Sequence, residues 1–246
     1  MRRHYSYSIY ADPETAARFD ERRFGGPIGS LLAETQERVL MEFLEPFRTG
    51  RLLDVGTGTG RAAIALARSG ADVVAIDYSA TMLGVARERA AREGVRASFM
   101  IGDAHALAFP DRAFDAAISL RVLMHAPDWR RCLAELCRVS AKSVIFDYPA
   151  CLSVAALQAA YRRAAAHAGR RVEAYRVLTD RSVDRALADN GFVRRRAHRQ
   201  FVLPVAAHKA LGSPAFSTRL EAALARAGLL ALFGSPVTVA AERCRY

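Results

Sequence analysis

The run Leu52-Leu53-Asp54-Val55-Gly56-Thr57-Gly58-Thr59-Gly60 restricts this chain most: an apolar strand passes into alternate glycines and then into a helical stretch, Arg61–Ser69. Glycine admits positive φ and lets another molecule lie against the backbone. The unpaired N–H groups at a helix start can hold a carboxylate or phosphate. Around this unit, RLLDVG, ADVVAID, RASFMIGD, FDAAISL and SVIFDYP read as strands, separated by helical Arg61–Ser69, Ala80–Glu93 and Trp129–Val139. Short strands alternating with helices imply a parallel sheet covered on both faces.

The flanks extend that α/β pattern. Upstream, Phe24-Gly25-Gly26-Pro27 reads as a turn, and Ile28 to Phe47 carries a helical stripe of apolar residues. Downstream, 151–168 and 180–189 read as helices. GFVRRRAHRQFVLP reads as a strand whose charged centre suggests a solvent-facing side or a sheet edge, with Gly191 ending the helix before it. A helical insertion, clearest at Phe216–Ala227, precedes the last strand, PVTVAAERC. With no repeat or low-complexity linker, 1–246 reads as one domain. Its parts are a helical N-terminal lid (1–50), a cofactor-binding core (51–148) and a C-terminal part (149–246) with a helical insertion and the last two strands.

Composition narrows the function classes. At 52% hydrophobic and 25% charged residues the chain is of ordinary globular make-up. It shows no signal-peptide core and no apolar run of spanning length, so a cytoplasmic location is expected. Cys132, Cys137, Cys151 and Cys244 fit neither a metal-ligand spacing nor a disulfide framework, so no metal site is expected. The net charge of +11 is uneven: residues 1–150 hold 20 basic and 19 acidic residues, residues 151–246 hold 16 and 6. Solvated helix faces explain part of that excess; a surface for an anionic partner is the functional alternative.

Acidic residues end three successive strands: Asp54 before the glycines, Asp77 at the end of VVAID, and Asp103 in Gly102-Asp103-Ala104. A carboxylate at the second position can accept both hydroxyls of a ribose; alternatively, Asp77 caps the helix that begins in SATML. The carboxylate at the third position can accept from an exocyclic amine. All three lie on the sheet edge where open α/β folds bind ligands.

With DVGTGTG, AIDYSATML, GDAHALAFPDRAFDAAISLRVLMHAPD and SVIFDYP, the chain resembles the class I S-adenosylmethionine-dependent methyltransferases, in particular the small-molecule group called type 11. The resemblance implies a Rossmann-like, seven-stranded, mostly parallel sheet in the order 3-2-1-4-5-7-6, with helices on both faces and strand 7 antiparallel. It implies that S-adenosylmethionine lies over Gly56, Thr57, Gly58 and Gly60, with Asp54 supporting its amino-acid end. Asp77 with Tyr78 would hold the ribose. Met82 would pack on adenine, Asp103 and Ala104 would recognise its edge, and Leu120 would complete the site. A nicotinamide dehydrogenase is the remote alternative, but Arg61 stands where its fingerprint has a third glycine.

Methyl transfer asks mainly for alignment, and for a base only when the acceptor must lose a proton. Leu120–His125 follows the fourth strand, and in the resembled family this segment faces the acceptor. His125 is therefore the candidate base or orienting group, with a helix-capping role as the alternative. Arg121, Arg22, Arg23 and Phe24 are candidates for contact with the acceptor; Arg121 could instead pair with a nearby carboxylate. Tyr5, Tyr7 and above all Tyr10 resemble the family's lid; a tyrosine face attracts a sulfonium cation. The expected acceptor is a small molecule, anionic or lipid-like in character. An RNA acceptor is the alternative, drawn from the basic C-terminal part. On a regular strand, Arg194 and Arg196 share one face, and Arg195 and Arg199 the other.

Overall fold

The computed structural model describes residues 12–168 and 175–244. Three helices lead in: α1 (Pro13–Ala17), α2 (Phe19–Phe24) and α3 (Gly26–Phe43). The core then alternates β1 (Arg51–Val55), α4 (Arg61–Arg68), β2 (Asp72–Asp77), α5 (Ala80–Arg92), β3 (Ser98–Ile101), β4 (Phe114–Ser119), α6 (Trp129–Val139) and β5 (Ser140–Tyr148). The remainder is α7 (Val154–His167), α8 (Asp180–Ala188), β6 (Phe192–Phe201), α9 (Val205–Leu211), α10 (Pro214–Arg226), α11 (Leu229–Phe233) and β7 (Ser235–Arg243). The seven strands form one sheet in the order β3-β2-β1-β4-β5-β7-β6. β1 to β5 pair in parallel, and β7 runs antiparallel between β5 and β6.

Consecutive residues of the central strands bury on opposite faces, which is why those strands read as unbroken apolar runs. Leu53, Val74, Ile76, Ala117, Val144 and Phe146 join one core, with Leu133 and Leu136 of α6 and Leu187 of α8. Leu52, Val73, Ala75, Ile118 and Ile145 join the other, with Val39, Leu40 and Phe43 of α3 and Leu66 of α4. Each such side chain contributes about 1.5–3 kcal/mol by leaving water. Truncating fully buried Leu53 to alanine would cost about 2–5 kcal/mol.

Local chemistry sets the helix starts. Ser79 Oγ accepts the Met82 N–H at 3.2 Å, Asp128 Oδ1 that of Arg131 at 3.1 Å, and Thr179 Oγ1 that of Ser182 at 3.1 Å. Three boundaries differ from the sequence reading. α3 stops at Phe43 and a 3-10 turn, Glu45–Phe47, follows, because Pro46 has no N–H to continue the ladder. α7 starts at Val154 rather than 151. β5 starts at Ser140, where Phe114 of β4 pairs across an irregularity. No described helix is long and apolar enough to cross a membrane.

β6 is an edge strand, and its arginines are arranged differently from the regular alternation. Arg194 pairs with Ala241 but Arg196 with Ala240, so Arg195 is the extra residue of a bulge. Residues beyond the bulge change face. Arg194 and Arg199 therefore share a side, and Arg196 lies on the other. On the first side, Arg194 reaches Asp184 at 2.5 Å and Arg199 reaches Asp180 at 2.5 Å. On the second, Arg196 pairs with Glu42 and stacks on Phe43. Arg195 meets Glu242 at 3.5 Å. The cluster is thus matched by carboxylates from α3, α8 and β7.

Candidate active site

The glycine loop is shaped by three positive-φ glycines, at +74° for Gly56, +55° for Gly58 and +80° for Gly60. They serve different ends. A Cβ on Gly56 would stand 2.2 Å from Val122, so that residue permits the close approach of the loop after β4. A Cβ on Gly58 would stand in open space beside a cavity that Gly58 lines. Gly60 does not line that cavity; a Cβ there would press on Ala86 of α5 at 2.9 Å. The packing of α4 on α5 thus accounts for a glycine at this position.

The cavity at the loop has a volume of about 220 Å3. The three strand-end carboxylates, from Asp54, Asp77 and Asp103, all line it. Asp54 is 2% exposed, and its Oδ2 has no hydrogen-bond partner among the described residues. Burial pushes its pKa up to about 6, against the hydrogen bonding of Thr57, and the nearby charge of Asp77 adds to the rise. Asp77 accepts the Gly58 N–H at 2.8 Å on Oδ2 and the Ser79 N–H at 2.9 Å on Oδ1. Burial raises its pKa as well, opposed by those two N–H donors. Asp77 therefore braces the loop, while Ser79 is the cap of α5; each carboxylate oxygen keeps a second lone pair. Burial also works against the charge on Asp103, but hydrogen bonds from the His105 backbone and ring, each 2.9 Å, outweigh it and lower its pKa.

Thr57, Tyr78, Met82, Ala104 and Leu120 line the same cavity. Met82 is buried, whereas Tyr78 is an exposed flap of ring. Phe24, expected on the acceptor side, lines this cavity and not its neighbour; its ring carries the Arg61 guanidinium at 3.6 Å. Tyr5, Tyr7 and Tyr10 lie outside the described residues. Sequence reading missed Gln36 and Glu37 of α3 and Arg61 of α4, which also line the cavity. It also missed Asp20 of α2, whose carboxylate accepts from Thr59 Oγ1 at 3.0 Å and pairs with Arg89 at 2.7 Å. These contacts join elements distant in sequence, and no local pattern marks them.

A second cavity, of about 800 Å3, shares Phe19, Arg23, Arg121 and His125 with the first. Arg121 has φ of +66°, a conformation that non-glycine residues rarely hold without support. The support is Asp147 at the end of β5, which is 2% exposed and accepts the Arg121 N–H. Burial raises the Asp147 pKa, against the charges of Arg121 and Arg23. A lone acid inside the apolar run SVIFDYP was the sequence signal for this residue. His125 is 7% exposed and its backbone N–H bonds Val122 O at 2.8 Å. Met124, Tyr161, Arg162 and Tyr175 border the second cavity, as does the segment 201–206. That segment is held from behind by Glu221, which accepts the N–H groups of Val202 at 2.8 Å and Leu203 at 3.0 Å and meets His208 Nε2 at 2.9 Å.

Residues 52–143 match the family model of the methyltransferase domain. Over 104 residues the chain is 39% identical to demethylmenaquinone methyltransferase of Thermus thermophilus, covering 40% of this chain and 47% of that protein. Over 115 residues it is 34% identical to magnesium-protoporphyrin O-methyltransferase of Rhodobacter capsulatus, covering 46% and 51%. The matches thus span about half the length of these relatives. Among solved structures, magnesium protoporphyrin IX methyltransferase from Synechocystis PCC 6803, with bound SAH, superposes with a TM-score of 0.68 over 97% of this chain and 99% of that one, at 19% identity. Sequence similarity across the core and likeness of fold across nearly the whole chain agree: residues 52–143 are similar to the methyltransferase domain, and the chain has the fold of the S-adenosylmethionine-dependent methyltransferases.

Proposed function

We propose that the chain binds S-adenosylmethionine in the first cavity and transfers its methyl group to a small organic acceptor, anionic or lipid-like in character, held in the second. The main support is the trio Asp54, Asp77 and Asp103 around the glycine loop, in a cavity that meets a larger one at Arg121 and His125. The residues suit the cofactor. The partnerless Asp54 oxygen suits an ammonium group, Gly58 leaves room against the backbone, and Asp77 retains lone pairs for ribose hydroxyls. Tyr78 and Met82 flank the place for an aromatic base, and Asp103 with Ala104 stands at its edge. When bound, this cofactor supplies an electrophilic methyl group on a sulfonium.

The chain's own work is then to align and enclose. Phe19 and Arg23 of α2 line both cavities, which supports a covering role for the N-terminal part. The 51–148 core supplies the cofactor side, and residues after 149 supply most of the acceptor wall. His125, at the junction, orients the acceptor or takes its proton on a ring nitrogen where the acceptor has one to lose. Positioning of this kind accounts for roughly 7–11 kcal/mol of a methyl-transfer barrier.

Calorimetric titration tests the reading directly. S-adenosylhomocysteine should bind and raise Tm, and NAD should do neither. Binding of NAD with none of S-adenosylhomocysteine would falsify it. His125→Ala should leave S-adenosylhomocysteine affinity within about twofold and lower kcat on an accepted substrate by roughly 100-fold, in the range for a lost acid–base group. Wild-type turnover in that variant would return His125 to a structural role.

A further inference from the structure

The lining of the second cavity is one-sided in charge. Arg22, Arg23, Arg121 and Arg162 border it, and among the described residues no aspartate or glutamate does. Asp147 lies behind Arg121, its carboxylate 4.0 Å from the guanidinium and its side chain 3% exposed, and offsets one of the four charges. The arginines come from three places, α2, the loop after β4, and α7, yet they converge. Arg23 and Arg121 both act on Asp147. Arg121 and Arg162 both act on Tyr175, and the Arg162 guanidinium lies 5.5 Å from that ring's centre. The opposite character comes from segment 201–206, Phe-Val-Leu-Pro-Val-Ala, whose wall has no charged side chain. Glu221 fixes its backbone by taking the Val202 and Leu203 N–H groups, so the apolar wall is built before any ligand arrives. Volumes of 300–1,000 Å3 are those of sites for ligands of drug size.

We propose that the second cavity is a recognition site for an amphipathic organic anion, its acid group held by the Arg22, Arg23, Arg121 and Arg162 set and its apolar body against residues 201–206. The inference rests on the acceptor reading above and deepens it. A guanidinium pairs with a carboxylate or a phosphate in two parallel hydrogen bonds, and such charge-assisted contacts are about twice as strong as neutral ones. The apolar body supplies affinity by leaving water, while the arginines set which end points toward His125 and reject cations. A neutral amphiphile fits the wall but offers the guanidinium groups no acid group to hold.

The test uses four matched ten-carbon probes on the intact chain, by titration calorimetry below their micellar concentrations: decanoate, decyl phosphate, decanol and decyltrimethylammonium. Decanoate or decyl phosphate should bind at least about tenfold more tightly than decanol, with the cation weakest, and the preference should shrink as salt is raised. Whichever anion binds more tightly identifies the acid group. Arg22→Gln and Arg162→Gln, neither of which lines the first cavity, should each reduce the preference severalfold while S-adenosylhomocysteine affinity stays unchanged; that affinity also reports folding. Equal binding of decanol and decanoate, or preference for the cation, overturns the anion site. If S-adenosylhomocysteine fails to bind while the anion preference persists, the methyltransferase reading falls and the anion site stands. The reverse pattern removes the anion site alone.

Discussion

The two cavities are opposites in the way they are made. The first is built mostly from main chain and strand ends: alternate glycines, a braced loop, and carboxylates at the tips of β1, β2 and just past β3. The second is walled by side chains from scattered helices and loops, and its charges are arginines. The first sets Glu37, Asp54, Asp77 and Asp103 beside Arg23, Arg61 and Arg121, whereas the acidic and basic residues among those described around the second are arginines alone; Phe19, Arg23, Arg121 and His125 form the shared boundary. A fold that builds one site into its parallel core and the other from the surrounding helices and loops can change the second without disturbing the first.

The sharpest way to break this contrast is Asp77→Ala. It strands the Gly58 and Ser79 N–H groups and removes the carboxylate proposed to hold the ribose, so S-adenosylhomocysteine affinity should fall on the order of 100-fold. Decanoate binding at the second cavity should not change. Equal loss at both would mean that the cavities are one energetic unit.

Asp54→Asn comes next and concerns stability. An acid whose pKa is raised to about 6 in the folded protein takes up a proton more readily there than unfolded, so its charge destabilises the fold above that pH. The unliganded wild type should lose stability as pH rises through 4 to 7. The asparagine variant should lack that loss, and be more stable at pH 8 by on the order of 2 kcal/mol, with the advantage gone near pH 4. Urea unfolding at the two pH values measures it. The same variant should bind S-adenosylhomocysteine more weakly, because an ammonium would have repaid the buried charge.

Glu221→Gln probes the other side. It keeps one acceptor oxygen where the carboxylate offers two, so one of the Val202 and Leu203 N–H groups loses its partner, at a cost of about 1–3 kcal/mol. KM for the acceptor should rise severalfold with cofactor affinity unchanged. A kcat loss without a KM change would place Glu221 outside acceptor positioning. The smallest effect is expected from Arg196→Gln, whose exposed pair with Glu42 contributes about 0–1 kcal/mol. Its kcat/KM should stay within twofold at low salt, as for a solvated edge.

The parallel core and its carboxylates were legible because each depends on a local pattern: apolar runs, alternate glycines, an acid at a strand end. Gly60 and Gly58 were not told apart, because a glycine packed against Ala86 and a glycine beside a cavity look alike in sequence. Asp147 and Asp20 escaped because their partners, Arg121 at 26 residues' separation and Arg89 at 69, meet only in the folded chain. The second cavity was visible only in part. Arg23 and Arg121 stood out beside the core, but Arg162 of α7 and the segment 201–206 join them only in the folded chain, while the arginine cluster evident in the sequence, on β6, is paired with carboxylates elsewhere.

The bulge at Arg195 acts as a phase shifter for the rest of its strand. Phe192 and Arg194 face the α8 side; unbroken alternation would next bring Arg196, His198 and Gln200 to that side. With one residue looped out, Ala197, Arg199 and Phe201 take their place, opposite Val239, Val237 and Ser235. Phe201 thereby reaches the wall of the second cavity, and Gln200 turns away, its amide pointing to Leu32 O at 3.5 Å. Arg195 itself is dispensable to that phase, since without it Arg196 would follow Arg194 directly and Phe201 would keep its side. A register that paired Arg195 with Ala240 would instead exchange an aromatic ring for a primary amide at the mouth of the second cavity, so a slip in a solvent-facing strand would be read out as a change in the cavity wall.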